Sequence, residues 1–203
     1  MSVRSIPREF HAKARIAYAV AWEGVITTHS NQVLEFILEF SSRIAPLDAL
    51  DLYFRVVAVP EPMQESVRTR ALPELDLDCI PPVNPLPTLG GWQLFRPDLA
   101  LRVIRYRRDY AEQTLQLARM VGARAAEAVT ATHVSHATEF ARMLAGVVPV
   151  EKAVAHYVFV FNLTQAMATS VLQRVQATLA GHELAQAYSH APPPFSPSPH
   201  PAP

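Results

Sequence analysis

Cysteine occurs once in this 203-residue chain, at Cys79. A single thiol excludes an intramolecular disulfide and a thiolate metal cage, and fits a reducing compartment. Glycine is scarce, with six in all, so few positions suit left-handed turns or phosphate-cradling loops. Neither sign of charge is in excess, since 18 Lys and Arg balance 18 Asp and Glu. A neutral chain lacks a global attraction for nucleic acid or acidic membrane, so nucleic acid is not an expected partner. Long apolar runs are missing too. The richest, from Val154 to Leu163, falls well short of the roughly 20 residues a bilayer span needs. The opening MSVRSIPREFHAKAR has no signal-peptide core. A cytoplasmic protein without a transmembrane segment is expected.

What the chain does have is apolar residues, half of the total, and 18 prolines. That much apolar side chain can bury a core. The prolines crowd into residues 60–97 and the last dozen positions. Proline breaks helix interiors, so these stretches read as a linker and a tail. The expected organisation is a first helical segment over 7–58, a proline-rich linker over 59–97, a second helical segment over 98–190 and a disordered tail over 191–203. Within the linker, ELDLDC alternates Leu75 and Leu77 with acidic residues, as a short strand or an extended surface piece would.

Helical periodicity dominates elsewhere. Val33, Phe36, Ile37, Phe40 and Ile44 recur at the three-four spacing of one helix face. From Pro97, a first-turn residue, Val103, Tyr106, Tyr110, Leu117, Val121, Ala125 and Ala128 form a near-heptad stripe toward Gly146. A bend or break is expected near Thr132. Pro149 then opens a last helix, from Val150 to about Leu184. DALDLYFRVVAV, with Tyr53, Phe54, Val56 and Val57, reads by itself as helix or strand.

Sliding the chain by 104 residues resolves that choice in favour of helix. Ala19, Ala21, Glu23, Val25, Thr28, His29, Glu35, Phe36, Ala49, Tyr53 and Val56 then meet identical residues, eleven matches when 17–57 is set on 121–161. Allowing one residue of slip, Pro46 also meets Pro149. The expected fold is therefore all-α, with two related helix–break–helix segments. Such a unit cannot bury its apolar face alone and packs on its twin or on another chain.

From Tyr110 to about Leu184 a long Ala-rich helix, YAEQTLQLARMVGARAAEAV, leads through ATEFARMLAG to a proline break, VVPVEKAV, and another long helix. In this layout the chain resembles the phasin family, small helical proteins that coat polyhydroxyalkanoate granules. The resemblance implies a non-enzymatic, granule-associated, homo-oligomeric protein that adsorbs through amphipathic helices and uses no cofactor. On that reading Phe36, Phe40, Val154, Val158 and Phe161 are the candidate apolar surface-binding residues. An alternative is a helical adaptor whose proline-rich tail, with Pro194 and Pro197 at PxxP spacing, is a partner's ligand.

Other constellations are weaker. His133, His136 and Glu139 share a helical face at metal-ligand spacing, but a di-iron bundle needs two Glu-x-x-His motifs, so no metal ligand and no catalytic residue is assigned. His156, in an apolar run, reads as a core histidine. Arg102, Arg105, Arg107 and Arg108 surround Tyr106. They are a candidate anion or nucleic-acid contact, or a solvated helix face.

Overall fold

A computed structural model describes residues 11–75, 83, 86 and 96–189, with Pro97 and residues 182–189 as backbone only. Cys79 and the tail lie outside the described residues. Among these residues there are six α-helices and no strand. They are α1 (His11–Phe40), α2 (Pro46–Val57), α3 (Glu61–Ala71), α4 (Pro97–Met143), α5 (Val150–Val160) and α6 (Gln165–Ser189). The fold is all-α, and DALDLYFRVV is helix.

Two boundaries differ from the sequence reading. The stretch expected to be linker from residue 59 begins instead with α3. Pro62 sits in the first turn of α3, where its missing N–H is unneeded. Met63, Val67 and Ala71 then fall on one face and are buried, and α3 packs on α1. The last helix is two helices. Asn162 takes a left-handed conformation, φ 49°, and the Leu163 amide donates to the Val158 carbonyl at 3.2 Å, closing α5 as a C-terminal cap does. Ala58, φ 56°, does the same for α2, with the Val59 amide on the Phe54 carbonyl at 3.0 Å. In contrast, α4 runs unbroken through Thr132. Thr130, Thr132 and Thr138 return their hydroxyls to carbonyls four residues back, which keeps them satisfied within the helix.

The long helices α1 and α4 are antiparallel. Thr28 Oγ1 meets Thr132 Oγ1 at 3.0 Å, Gly24 abuts His136, and Tyr18 packs on Phe140 with ring centroids 4.8 Å apart. Around this seam the same contacts recur 104 residues apart. His29 Nδ1 bonds the Tyr53 hydroxyl at 2.9 Å, and His133 Nδ1 bonds Tyr157 at 3.0 Å. Arg70 pairs with Glu23 at 2.7 Å, and Arg174 with Glu127 at 2.6 Å. The left-handed turns at Ala58 and Asn162 are likewise equivalent positions. Thr28 and Thr132 are themselves 104 residues apart and in contact.

The halves fill their cores differently. Tyr18 packs its ring among Phe140, Tyr157 and Phe161 and bonds His156. The equivalent residue is Gly122, where Val56 lies so close that a Cβ would overlap its Cγ1. Here glycine serves close approach of helices rather than a turn.

Candidate functional site

The candidate apolar surface residues are core in this fold. Phe36 stacks on Phe40 at 4.5 Å, and Phe161 stacks on Tyr157 at 4.5 Å. Phe36, Phe40, Val154 and Phe161 are fully buried, and Val158 is half-buried against the same cluster. Their three-four spacing serves helix–helix packing, so contact with an outside surface through them requires the bundle to open.

Other apolar side chains reach solvent, among them Ile16, Val20, Leu38, Leu47 and Met120 on several helices, and a further group on α4 and α5. Leu101, Ile104 and Tyr106 are 54, 52 and 53 % exposed, and Phe159 is 73 % exposed. The first three belong to an overhang of α4. Because α1 runs antiparallel to α4 and ends at Phe40, it comes level with α4 near Met120. From 98 to 113 no side chain of α4 is buried, and Thr114 is the first that is. At 1.5 Å per residue the overhang extends about 25 Å. Its base is fixed by Tyr110, whose hydroxyl donates to the Arg43 carbonyl at 3.3 Å while the Arg43 guanidinium lies over the ring.

The arginine run lies on this arm. Arg102, Arg105, Arg107 and Arg108 are all exposed. At 100° per residue they spread around most of the helix rather than converging. Arg108 already faces Asp109 and Glu112 at 3.4 and 3.9 Å. The arm is thus a helix with long cationic side chains interleaved among Leu99, Leu101, Val103, Ile104 and the two tyrosines. Arg side chains of this kind can lay their stems on an apolar surface and keep their charge in water.

The histidines are used inside the bundle. His29 and His133 are buried, each held by its tyrosine, on either side of a cavity of about 10 Å³, barely room for one water. Burial lowers the His29 imidazole from 6.5 to about 4. Burial, then repulsion from His29 and His136, lowers His133 to about 3. Both are neutral hydrogen-bonding groups at neutral pH. Of the spaced trio, His136 lies over Gly24 and Glu139 pairs with Arg142 at 2.6 Å, so the three do not converge. Among the described residues no group of His, Cys, Asp or Glu is arranged to hold a metal ion, and no helix is long and apolar enough to cross a membrane.

Sequence reasoning missed Arg70, Arg174 and the bonding partner of His156. The shift of 104 extends beyond residue 57. Carried through α3 it also matches Met63 with Met167, Val67 with Val171 and Arg70 with Arg174.

No protein family, curated protein or solved structure matches this chain.

Proposed function

We propose that this protein is a non-enzymatic, phasin-like coat protein, built from two copies of one three-helix unit, that adsorbs to polyhydroxyalkanoate granules in the cytoplasm. The observation that carries the reading is the overhang of α4, a helix with exposed Leu101, Ile104 and Tyr106 and no other described helix lying over its outer face. Full burial of a Leu or Ile side chain stabilises by about 1.5–3 kcal/mol. Leu101, Ile104 and Phe159 are more than half exposed, so covering them contributes about 1 kcal/mol or more each. That is weak for one arm and becomes useful when several arms act together. The arginines beside Leu101 and Ile104 lay their stems along the polymer and keep their charge in water. Phe36, Phe40, Val154, Val158 and Phe161 form a reserve of apolar surface that a bundle opened on the polymer would add.

The test is an adsorption isotherm on a polyhydroxybutyrate film. Leu101→Ser with Ile104→Ser changes exposed positions and leaves the core intact. The reading expects the double variant to keep its helical circular dichroism and to adsorb several-fold more weakly. Adsorption equal to that of the unaltered protein rejects the arm as the contact. No adsorption by either protein rejects the coat reading and turns attention to an adaptor role.

A further inference from the structure

We propose that His29, His133 and Met167 form a site for one soft monovalent metal ion, copper(I), in the small cavity between α1, α4 and α6. All three side chains line that cavity, whose volume is about 10 Å³. His29 and His133 hold equivalent positions on α1 and α4, and Met167 comes from the first turn of α6. The other described methionines, Met63, Met120 and Met143, do not line it. The site goes beyond the coat reading and does not rest on it.

The tyrosine bonds use only half of each imidazole. Nδ1 of His29 bonds Tyr53 at 2.9 Å, and Nδ1 of His133 bonds Tyr157 at 3.0 Å. Each ring is 2 % exposed, yet Nε2 of neither has a hydrogen-bond partner among the described residues. No side-chain nitrogen or oxygen sealed from water lacks a partner there. Each Nε2 therefore keeps an opening, and the cavity is the space that both rings line. A buried imidazole nitrogen without a partner costs stability, and here the cost is incurred twice at one place. An outer oxygen on Nδ1 with Nε2 left free is the arrangement of a metal-ligating histidine, in which the outer bond fixes the tautomer and the ring. In the ligating form Nδ1 carries the proton and donates it to the tyrosine oxygen.

The donor set selects the ion. Two neutral imidazoles and a thioether bring no negative charge, and no carboxylate lines the cavity. A divalent cation would be buried with its double charge uncompensated, and zinc in a structural site takes four ligands. Copper(I) carries a single charge, favours thioether sulfur and accepts imidazole. Two nitrogens and one sulfur complete a low-coordinate site for it. A bare ion needs less room than a water molecule, since imidazole–metal bonds are about 2 Å long. Ala58, Asn162 and Thr164 also line the cavity and are exposed, so the turns after α2 and α5 offer a way in.

The test is an anaerobic titration of the full, untagged chain with copper(I) against a chromophoric copper(I) chelator, followed by X-ray absorption at the copper edge. The expected result is one tight equivalent with two nitrogen scatterers and one sulfur. Met167→Leu, a change of similar volume at a half-buried position, should weaken binding and remove the sulfur scatterer. Met120→Leu, at an exposed position, should change neither. Tyr157→Phe removes the outer oxygen and should weaken binding about 10–100-fold. His29→Gln with His133→Gln should abolish the tight equivalent. Circular dichroism of Met167→Leu should stay that of the folded chain, so the sulfur signal decides the matter independently of how the histidine variant folds. No equivalent held against the chelator, a spectrum without sulfur, or tight binding that survives the loss of both histidines overturns the proposal.

Discussion

Lowering the pH should loosen this bundle from its centre. His29 and His133 line one small cavity, each buried and bonded to a tyrosine hydroxyl. Folded, they titrate near about 4 and about 3; unfolded, each returns to about 6.5. Their neutral forms favour the fold fully above about pH 6.5. As pH falls below that value the unfolded chain takes up protons that the folded chain refuses, so stability declines until the folded values are reached. At pH 5 each histidine is about 1.5 units below its unfolded value, which corresponds to about 2 kcal/mol. The pair together removes about 4 kcal/mol, a large part of the 5–15 kcal/mol of a typical domain. His136 and His156, both lowered by burial, act in the same direction. The assay is urea unfolding followed by circular dichroism at several values between about pH 7.5 and about pH 5. His29→Gln with His133→Gln keeps a hydrogen-bonding group in each place and removes the titration. The unaltered protein should lose stability across the window, and the double variant should lose much less. Equal slopes, or a flat profile in the unaltered protein, would refute the reasoning.

Four further substitutions, one of them with a second-site change, probe the packing by the same unfolding assay. Gly122→Ala gains about 1 kcal/mol of helix propensity, but its Cβ overlaps Val56. Overpacking costs typically 1–3 kcal/mol, so a net loss is expected, reversed when Val56→Ala is added. Phe161→Ala empties a fully buried site and should destabilise by about 3–5 kcal/mol, whereas Phe159→Ala, at an exposed site, should stay within about 0.5 kcal/mol. Gly181→Ala, where nothing lies within 4 Å of the added carbon, should stabilise by about 0.5–1 kcal/mol.

Helix was legible in the sequence because the apolar residues of α1 and α4 keep helical spacing over many turns. The shift of 104 also made a helix of DALDLYFRVV, whose Tyr53, Phe54, Val56 and Val57 read equally well as strand. Two features were less legible. Pro60 and Pro62 suggested a linker, yet proline at a helix start ends nothing and begins α3. Asn162 gave no warning of a break, since asparagine's tolerance of left-handed backbone is only one of its uses. The inside and outside of the bundle were harder still. Phe36 and Phe161 lie on apolar stripes that look alike whether they meet another helix or a polymer. Only the end of α1 at Phe40 reveals that full burial along α4 begins at Thr114, while the stripe from Leu99 to Tyr110 is half-buried or exposed.

The central claim, adsorption to a storage polymer, is tested most directly by co-flotation of the purified protein with polyhydroxyalkanoate particles, beside phospholipid vesicles of equal surface area. The account predicts selective recovery with the polymer, reduced by Leu101→Ser with Ile104→Ser. Protein that stays at the bottom of the gradient with both particles, or that floats equally with vesicles, would contradict it.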